Sequence, residues 1–249
     1  MSNFLMVLLL SAVMGLSIFI ALPLFARRKM SNLNMRLLGS VAVGILIFLV
    51  ADVFSDSASI MYNGSLAGYG TDPWYDLVFL ISLVLGFAML FFAEGTKDSG
   101  KSPYRLSFFI ALGIGFQNLT EGLVFGASFN SIGLLGVTVV ILVGFILQNI
   151  TEGFPIVSPF IGMESQKILP IVSLFLIGGL PTIIGGGVGY FYSSSLFNLF
   201  FDGLAIGAMA YVIFPIIGSL LRNGERHSAR LIYAGTFIGF VAGFLVNLI

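Results

Sequence analysis

Stretches of about twenty apolar residues, the length needed to cross a bilayer core roughly 30 Å thick, can be laid along this chain almost without a gap. Eight fit, over residues 4–26, 37–59, 74–93, 105–129, 132–160, 168–192, 196–221 and 231–249. Helices are the expected form, because in hydrocarbon every backbone amide must be paired within its own segment. The roughly ten-residue alternation of a membrane-barrel strand is not seen. Only 9% of the 249 residues are charged and 58% are hydrophobic, against roughly 25% charged in a soluble domain, so the solvent of such a chain is lipid. The expected fold is an all-α membrane protein, residues 1–249 forming a single polytopic membrane domain of eight transmembrane helices in a lipid bilayer. With no cysteine there are no disulfides and no thiolate ligands. No basic, aromatic-interleaved surface or tail points to nucleic acid.

The basic residues orient the spans. Arg27, Arg28, Lys29 and Arg36 fall between the first and second; Lys97, Lys101 and Arg105 between the third and fourth; Lys167 between the fifth and sixth; Arg222, Arg226 and Arg230 between the seventh and eighth. All lie at odd-numbered connections, which by the positive-inside rule puts those loops in the cytoplasm and both termini outside. A plasma membrane is the expected location. No basic residue precedes the first span and three follow it, the reverse of a cleaved signal peptide. The outer side carries Asp72, with Asp56 and Asp76 near it; an acidic mouth concentrates cations, though Asp72 and Asp76 read equally well as solvated loop residues.

Within the apolar background one polar hexapeptide occurs twice, Gln117-Asn118-Leu119-Thr120-Glu121-Gly122 in the fourth span and Gln148-Asn149-Ile150-Thr151-Glu152-Gly153 in the fifth. The spans run in opposite directions, and a short connection around Asn130 makes them neighbours. Equivalent sequences on antiparallel neighbours are what a pseudo-two-fold axis in the membrane plane produces, and transporters commonly bind their cargo on such an axis. Gln117 with Glu121, and Gln148 with Glu152, stack at i and i+4 on one helix face. A carboxylate at membrane depth has to be neutralised, and no Lys or Arg lies in mid-span to do so. A mobile divalent cation is the natural counter-ion of two glutamates. The competing reading is an amide and carboxylic-acid cluster that merely ties two helices together, which does not call for the same constellation twice. Thr120 and Thr151 are expected to bond their own backbone four residues back, and Gly122 and Gly153 to let helices approach closely.

At these residues the chain resembles the ZIP family (Zrt/Irt-like proteins) of divalent-metal transporters. The resemblance implies eight helices with both termini outside, a 3+2+3 arrangement with inverted pseudo-symmetry, and metal held by the fourth and fifth helices. Carried onto this sequence, the implied metal ligands are Gln117, Asn118, Glu121, Gln148, Asn149 and Glu152. A second, weaker match is Gly207-Ala208-Met209-Ala210-Tyr211-Val212, similar to a small-residue stretch of the family's seventh helix. The family's usual leading histidine is Gln117 here, the glutamate that many members place before the helix-six proline is Leu180, and Tyr211 to Pro215 contains no acid. The sole histidine, His227, falls in a cytoplasmic loop and reads as solvated. An oxygen-only ligand set leans from zinc toward Mn, Fe(II) and other hard cations; Mn, Fe or Zn would be cargo, and no cofactor is implied. By resemblance, helices one, four, five and six move as a unit against two, three, seven and eight, and the ion travels toward the cytoplasm. A homodimer is carried among the partners with the metal ion and the bilayer.

Asp52 and Asp56, at i and i+4 in the outer part of the second span, and Asp202 near the outer start of the seventh, would form an acidic entrance if turned inward. Asp202 reads equally as a helix N-cap. Pro155 and Pro159 are expected to kink or end the fifth helix, Trp74 to anchor the third at the interface, and Met14, Met89 and Met209 to fill gaps. An intramembrane hydrolase would call for His or Cys ligands that the spans lack, so no enzyme activity is expected. The alternative is a ZIP-shaped protein with lost or altered transport, serving as a sensor, an assembly subunit or a carrier of a non-metal solute.

Overall fold

The structure, a computed structural model, describes residues 2–26, 31–62, 73–94, 102–161, 163, 167–222 and 226–248. Arg27, Arg28, Lys29, Asp72, Lys97 and Lys101 lie outside the described residues. Eight α-helices follow one another: α1 (Asn3–Leu16), α2 (Asn32–Met61), α3 (Pro73–Glu94), α4 (Pro103–Ile132), α5 (Gly136–Val157), α6 (Ile168–Phe191), α7 (Ser195–Arg222) and α8 (Arg226–Val246). There is no strand among the described residues. Eight segments, one on each helix, are long and apolar enough to cross a membrane.

The helices run past the apolar windows where local chemistry permits. Ser2 and Ser31 cap α1 and α2 by accepting from the Leu5 and Asn34 amides at 3.3 and 3.2 Å. Pro103 opens α4, where its missing N–H costs nothing. Asn130 is still helical, and α4 stops at Gly133, whose φ of 68° lies in the left-handed region that glycine tolerates. Only residues 133–135 then separate α4 from α5. The first span is not one continuous α-helix: residues Ser17–Ala26 wind as a 3-10 helix. Pro23 has no N–H for the Phe19 carbonyl and its ring crowds that carbonyl. The Ser17 hydroxyl also donates across to the Ile146 carbonyl of α5 at 3.1 Å.

The least apolar of the eight spans is the most enclosed. The α4 span is 72% buried, against 22% for those of α3 and α8, so the helix with the polar motif forms the centre and α3 and α8 lie outermost. Its main partner is α6, which it meets backbone to backbone. A Cβ added at Gly122 or Gly126 would collide with the carbonyls of Thr182 or Gly186, and one at Gly185 or Gly189 with those of Leu119 or Leu123. Glycines four residues apart on both helices thus interlock. The same device joins α3 to α7 and α2 to α8. The 3-10 segment packs on α5, with the Ile18 carbonyl against Gly153. Two contiguous groups result, α1, α4, α5 and α6 in one and α2, α3, α7 and α8 in the other, meeting chiefly where α4 lies on α7.

Candidate functional site

Both hexapeptides turn inward. Gln117, Asn118, Glu121, Gln148, Asn149 and Glu152 are all buried, with Asn118, Asn149 and Glu152 wholly inaccessible. The two copies touch: Asn118 Nδ2 donates to Asn149 Oδ1 at 2.9 Å. The same nitrogen reaches the Gly178 carbonyl of α6 at 3.0 Å, so three helices are tied at one amide. Asn149 Nδ2 in turn donates to the Phe145 carbonyl at 2.9 Å and, more weakly at 3.4 Å, to Glu121 Oε2. Gln117 Nε2 donates to Glu121 Oε1 at 3.1 Å.

These bonds fix which end of each amide faces where. A backbone carbonyl only accepts, so the contacts to Gly178 and Phe145 hold the nitrogens of Asn118 and Asn149 against the helices. The carboxylate of Glu121 does the same for Gln117. All three amide nitrogens are therefore committed; Asn149 Oδ1 accepts from Asn118, and the oxygens of Gln117 and Asn118 are left over. Gln117 Oε1, Asn118 Oδ1 and both carboxyl oxygens of Glu152 are buried without a hydrogen-bond partner among the described residues. The two copies are alike in sequence but not in bonding: Glu121 receives two donors and Glu152 none. Asn118 and Gln148 stand beside the Glu152 carboxyl, yet no donor meets it in hydrogen-bond geometry. The glutamates are close enough to interact electrostatically. An unmet buried acceptor costs about 1–3 kcal/mol, more when charged. One proton on Glu152 could answer at most one other acceptor, whereas a cation can be met by several oxygens at once.

Among the described residues, no three His, Cys, Asp or Glu side chains converge closely enough to hold a metal by themselves. Any ion bound here must take amide oxygens along with carboxylates. Such all-oxygen sets suit hard cations rather than those that favour nitrogen and sulfur.

A cavity of about 300 Å³ reaches the site from one side, lined by Gln117, Thr120, Glu121 and Gln148 at its floor. The acids expected at an entrance are there: Asp52, Asp56 and Asp202 all line the same cavity. Asp56 is exposed, Asp52 half-buried and Asp202 buried. Asn247, just past the end of α8, donates its Nδ2 to Asp52 Oδ1 at 2.5 Å, and the Ser57 hydroxyl donates to Asp202 Oδ2 at 3.2 Å. Asp202 is not an N-cap, since α7 begins a full seven residues earlier at Ser195. Glu152, Asn118 and Asn149 do not line the cavity. Toward the other end of α4 and α5, Ile110, Ile114, Ile156, Val157 and Phe160 are buried, and the Ser107 hydroxyl donates to the Ile156 carbonyl at 2.7 Å.

Other positions fall out as follows. Thr120 and Thr151 bond the carbonyls of Gln117 and Gln148, three residues back rather than four, both at 2.7 Å. Gly122 and Gly153 permit close approach, but to α6 and the 3-10 segment rather than to each other. Leu180 is exposed and takes no part in the site, and Gly207 serves the contact with α3. Pro155 sits inside α5, which ends at Val157 before a short 3-10 turn containing Pro159. Trp74 is exposed at the start of α3; Met14 and Met209 are core residues, while Met89 is exposed. His227 is in the first turn of α8. Sequence reasoning missed Ser57, Asn198 and Asn247, whose only signal was a polar side chain near the end of an apolar span, and the Gly178 carbonyl, which has no sequence signal.

The chain matches no protein-family model and no curated protein sequence.

Proposed function

We propose that this chain is a polytopic secondary transporter of a divalent cation, similar in plan to the ZIP proteins, carrying the ion between α4 and α5. The observation that carries the reading is Glu152: a wholly buried carboxyl with both oxygens unmet, beside Asn118, whose Oδ1 is unmet as well. As a device for holding helices together the cluster is half satisfied, which is worse than an apolar contact. As a cation site it is complete only when loaded. In this reading Gln117, Asn118, Glu121, Gln148, Asn149 and Glu152 supply the ligands, with a lean toward Mn or Fe(II) over Zn. The positive-inside pattern puts both termini outside a plasma membrane and opens the cavity outward, so the ion moves toward the cytoplasm. The group α1, α4, α5 and α6 moves against α2, α3, α7 and α8, which agrees with the contact pattern of the helices.

Glu121→Ala or Glu152→Ala is expected to abolish metal uptake into cells or proteoliposomes while the protein remains in the membrane. Full uptake by both variants would refute the assignment. That no three-acid or imidazole cluster occurs among the described residues favours a second reading, a ZIP-shaped protein that has lost or altered metal transport. Calorimetry with Mn, Fe(II), Zn, Co, Cd and Mg separates the two, since a protein that binds none of them fits only the second.

A further inference from the structure

The two groups of helices meet along a seam where α4 lies on α7, and the seam is smooth. A Cβ added at Gly113 of α4 would meet the flexible side chain of Met209 at 3.1 Å, not a backbone carbonyl as at Gly122 or Gly207 inside each group. Hydrogen bonds between helices mostly stay inside a group as well: Asn118 to Gly178 and Ser107 to Ile156 in one, Ser57 to Asp202 and Asn247 to Asp52 in the other. Polar contacts that do cross the seam therefore decide how firmly the groups are held. One is midway, where Asp202 of α7 bonds with Thr120 of α4 on the cavity wall. Another is at the far end. Arg105, in the first turn of α4 and about 18 Å along the helix from Gln117, donates through Nη2 to the Ala93 carbonyl of α3. Otherwise α3 and α4 barely approach each other. That carbonyl is one of the last four of α3, which have no partner within the helix, and the negative end of a helix attracts a cation. The guanidinium also lies over the Phe109 ring, 5.5 Å from its centroid, and the same ring meets Tyr211 of α7 edge-on at 6.2 Å. One side chain thus bears on the second group in two places. A cap that served α3 alone could come from its own group; this one is sent across the seam.

We infer that Arg105 is a positioning residue, a latch that holds the two helix groups together at the end of the seam away from the cavity, so that the bundle is shut there while the cavity opens at the other end. That the latch must release for an ion to leave rests on the transport reading above; the latch itself does not.

Alkylation of single introduced thiols tests it, since the chain has no cysteine of its own. Val212 of α7 is wholly buried, one turn beyond Ala208 on the face that meets Gly113 of α4. Val7 is wholly buried among residues of α1, α4, α5 and α6, all in one group. Arg105→Met keeps the length of the side chain but has no donor. In purified protein it is expected to speed the reaction of Val212→Cys with N-ethylmaleimide by about tenfold, as the loss of one charge-assisted hydrogen bond implies, and to leave that of Val7→Cys within about twofold. Reaction of Val212→Cys unchanged by Arg105→Met would overturn the latch. Equal acceleration of both thiols would overturn it too, because that is what general loosening or failure to fold produces. The two readings fail separately. Uptake that survives loss of Glu121 and Glu152 defeats the ion site and leaves these rates untouched, whereas uptake lost in those variants with Val212→Cys indifferent to Arg105 defeats only the latch.

Discussion

At the residue scale, the site depends on the direction in which three amides point. Asn118 is the most constrained, because its single nitrogen serves both Asn149 and the Gly178 carbonyl. Asn118→Asp keeps the shape but sets a carboxylate oxygen against two acceptors. Measured by thermal unfolding in detergent without divalent ions, the variant should lose at least ~2 kcal/mol, two unmet acceptors at roughly 1–3 each. Added divalent cation should recover part of the loss, since the new charge faces the ion; no recovery would place Asn118 outside the cation site. The six polar residues were legible in sequence because amides and acids stand out in apolar spans and because they repeat. Which oxygens remain free was not. That follows from Gly178 and Phe145, whose contribution is a backbone carbonyl identical in every residue.

At the scale of elements, interlocked glycines decide which helices behave as one body. The Cβ of Gly185→Ala would meet the Leu119 carbonyl, part of a helix backbone that cannot turn aside. A destabilisation of about 1–3 kcal/mol is expected from such overpacking. Gly144→Ala, in mid α5 with nothing within 4 Å of the added carbon, should be neutral or stabilising by up to about 1 kcal/mol from helix propensity. Parallel melts that rank the two the other way would contradict the interlock. The glycine richness of α6 is plain in the sequence. Its partner was not, because the short connection drew attention to α5 while the tight contact is made with α4 by faces that only tertiary structure pairs. The 3-10 winding after Leu16 was hidden for a related reason: Pro23 signals an interruption, but not how far back along the helix it is felt.

For the whole molecule, the eight spans were legible from length and apolar content, whereas the centrality of α4 was not, since the spans of α5 and α8 come close to it in hydropathy and are far less enclosed. The route to the site was legible only in part, because Asp52, Asp56 and Asp202 come from two helices whose facing is a property of the assembled bundle. The chain has no cysteine, so each introduced thiol is unique. Asp56→Cys should react readily with a membrane-impermeant maleimide applied to intact cells, and Glu152→Cys, at zero exposure, should stay unlabelled. Equal labelling of both would show that the path is not closed at Glu152, and labelling of Asp56→Cys only in inverted vesicles would reverse the orientation. One feature of the packing reaches beyond the protein. Because α4 and α6 are locked backbone to backbone, any movement of α4 would carry α6 with it, whose Leu180, Ile184, Val188 and Phe191 are exposed along its length. If the proposed transport cycle holds, that row would have to slide through acyl chains each time, and the hydrophobic mismatch it meets would make bilayer thickness a control on turnover.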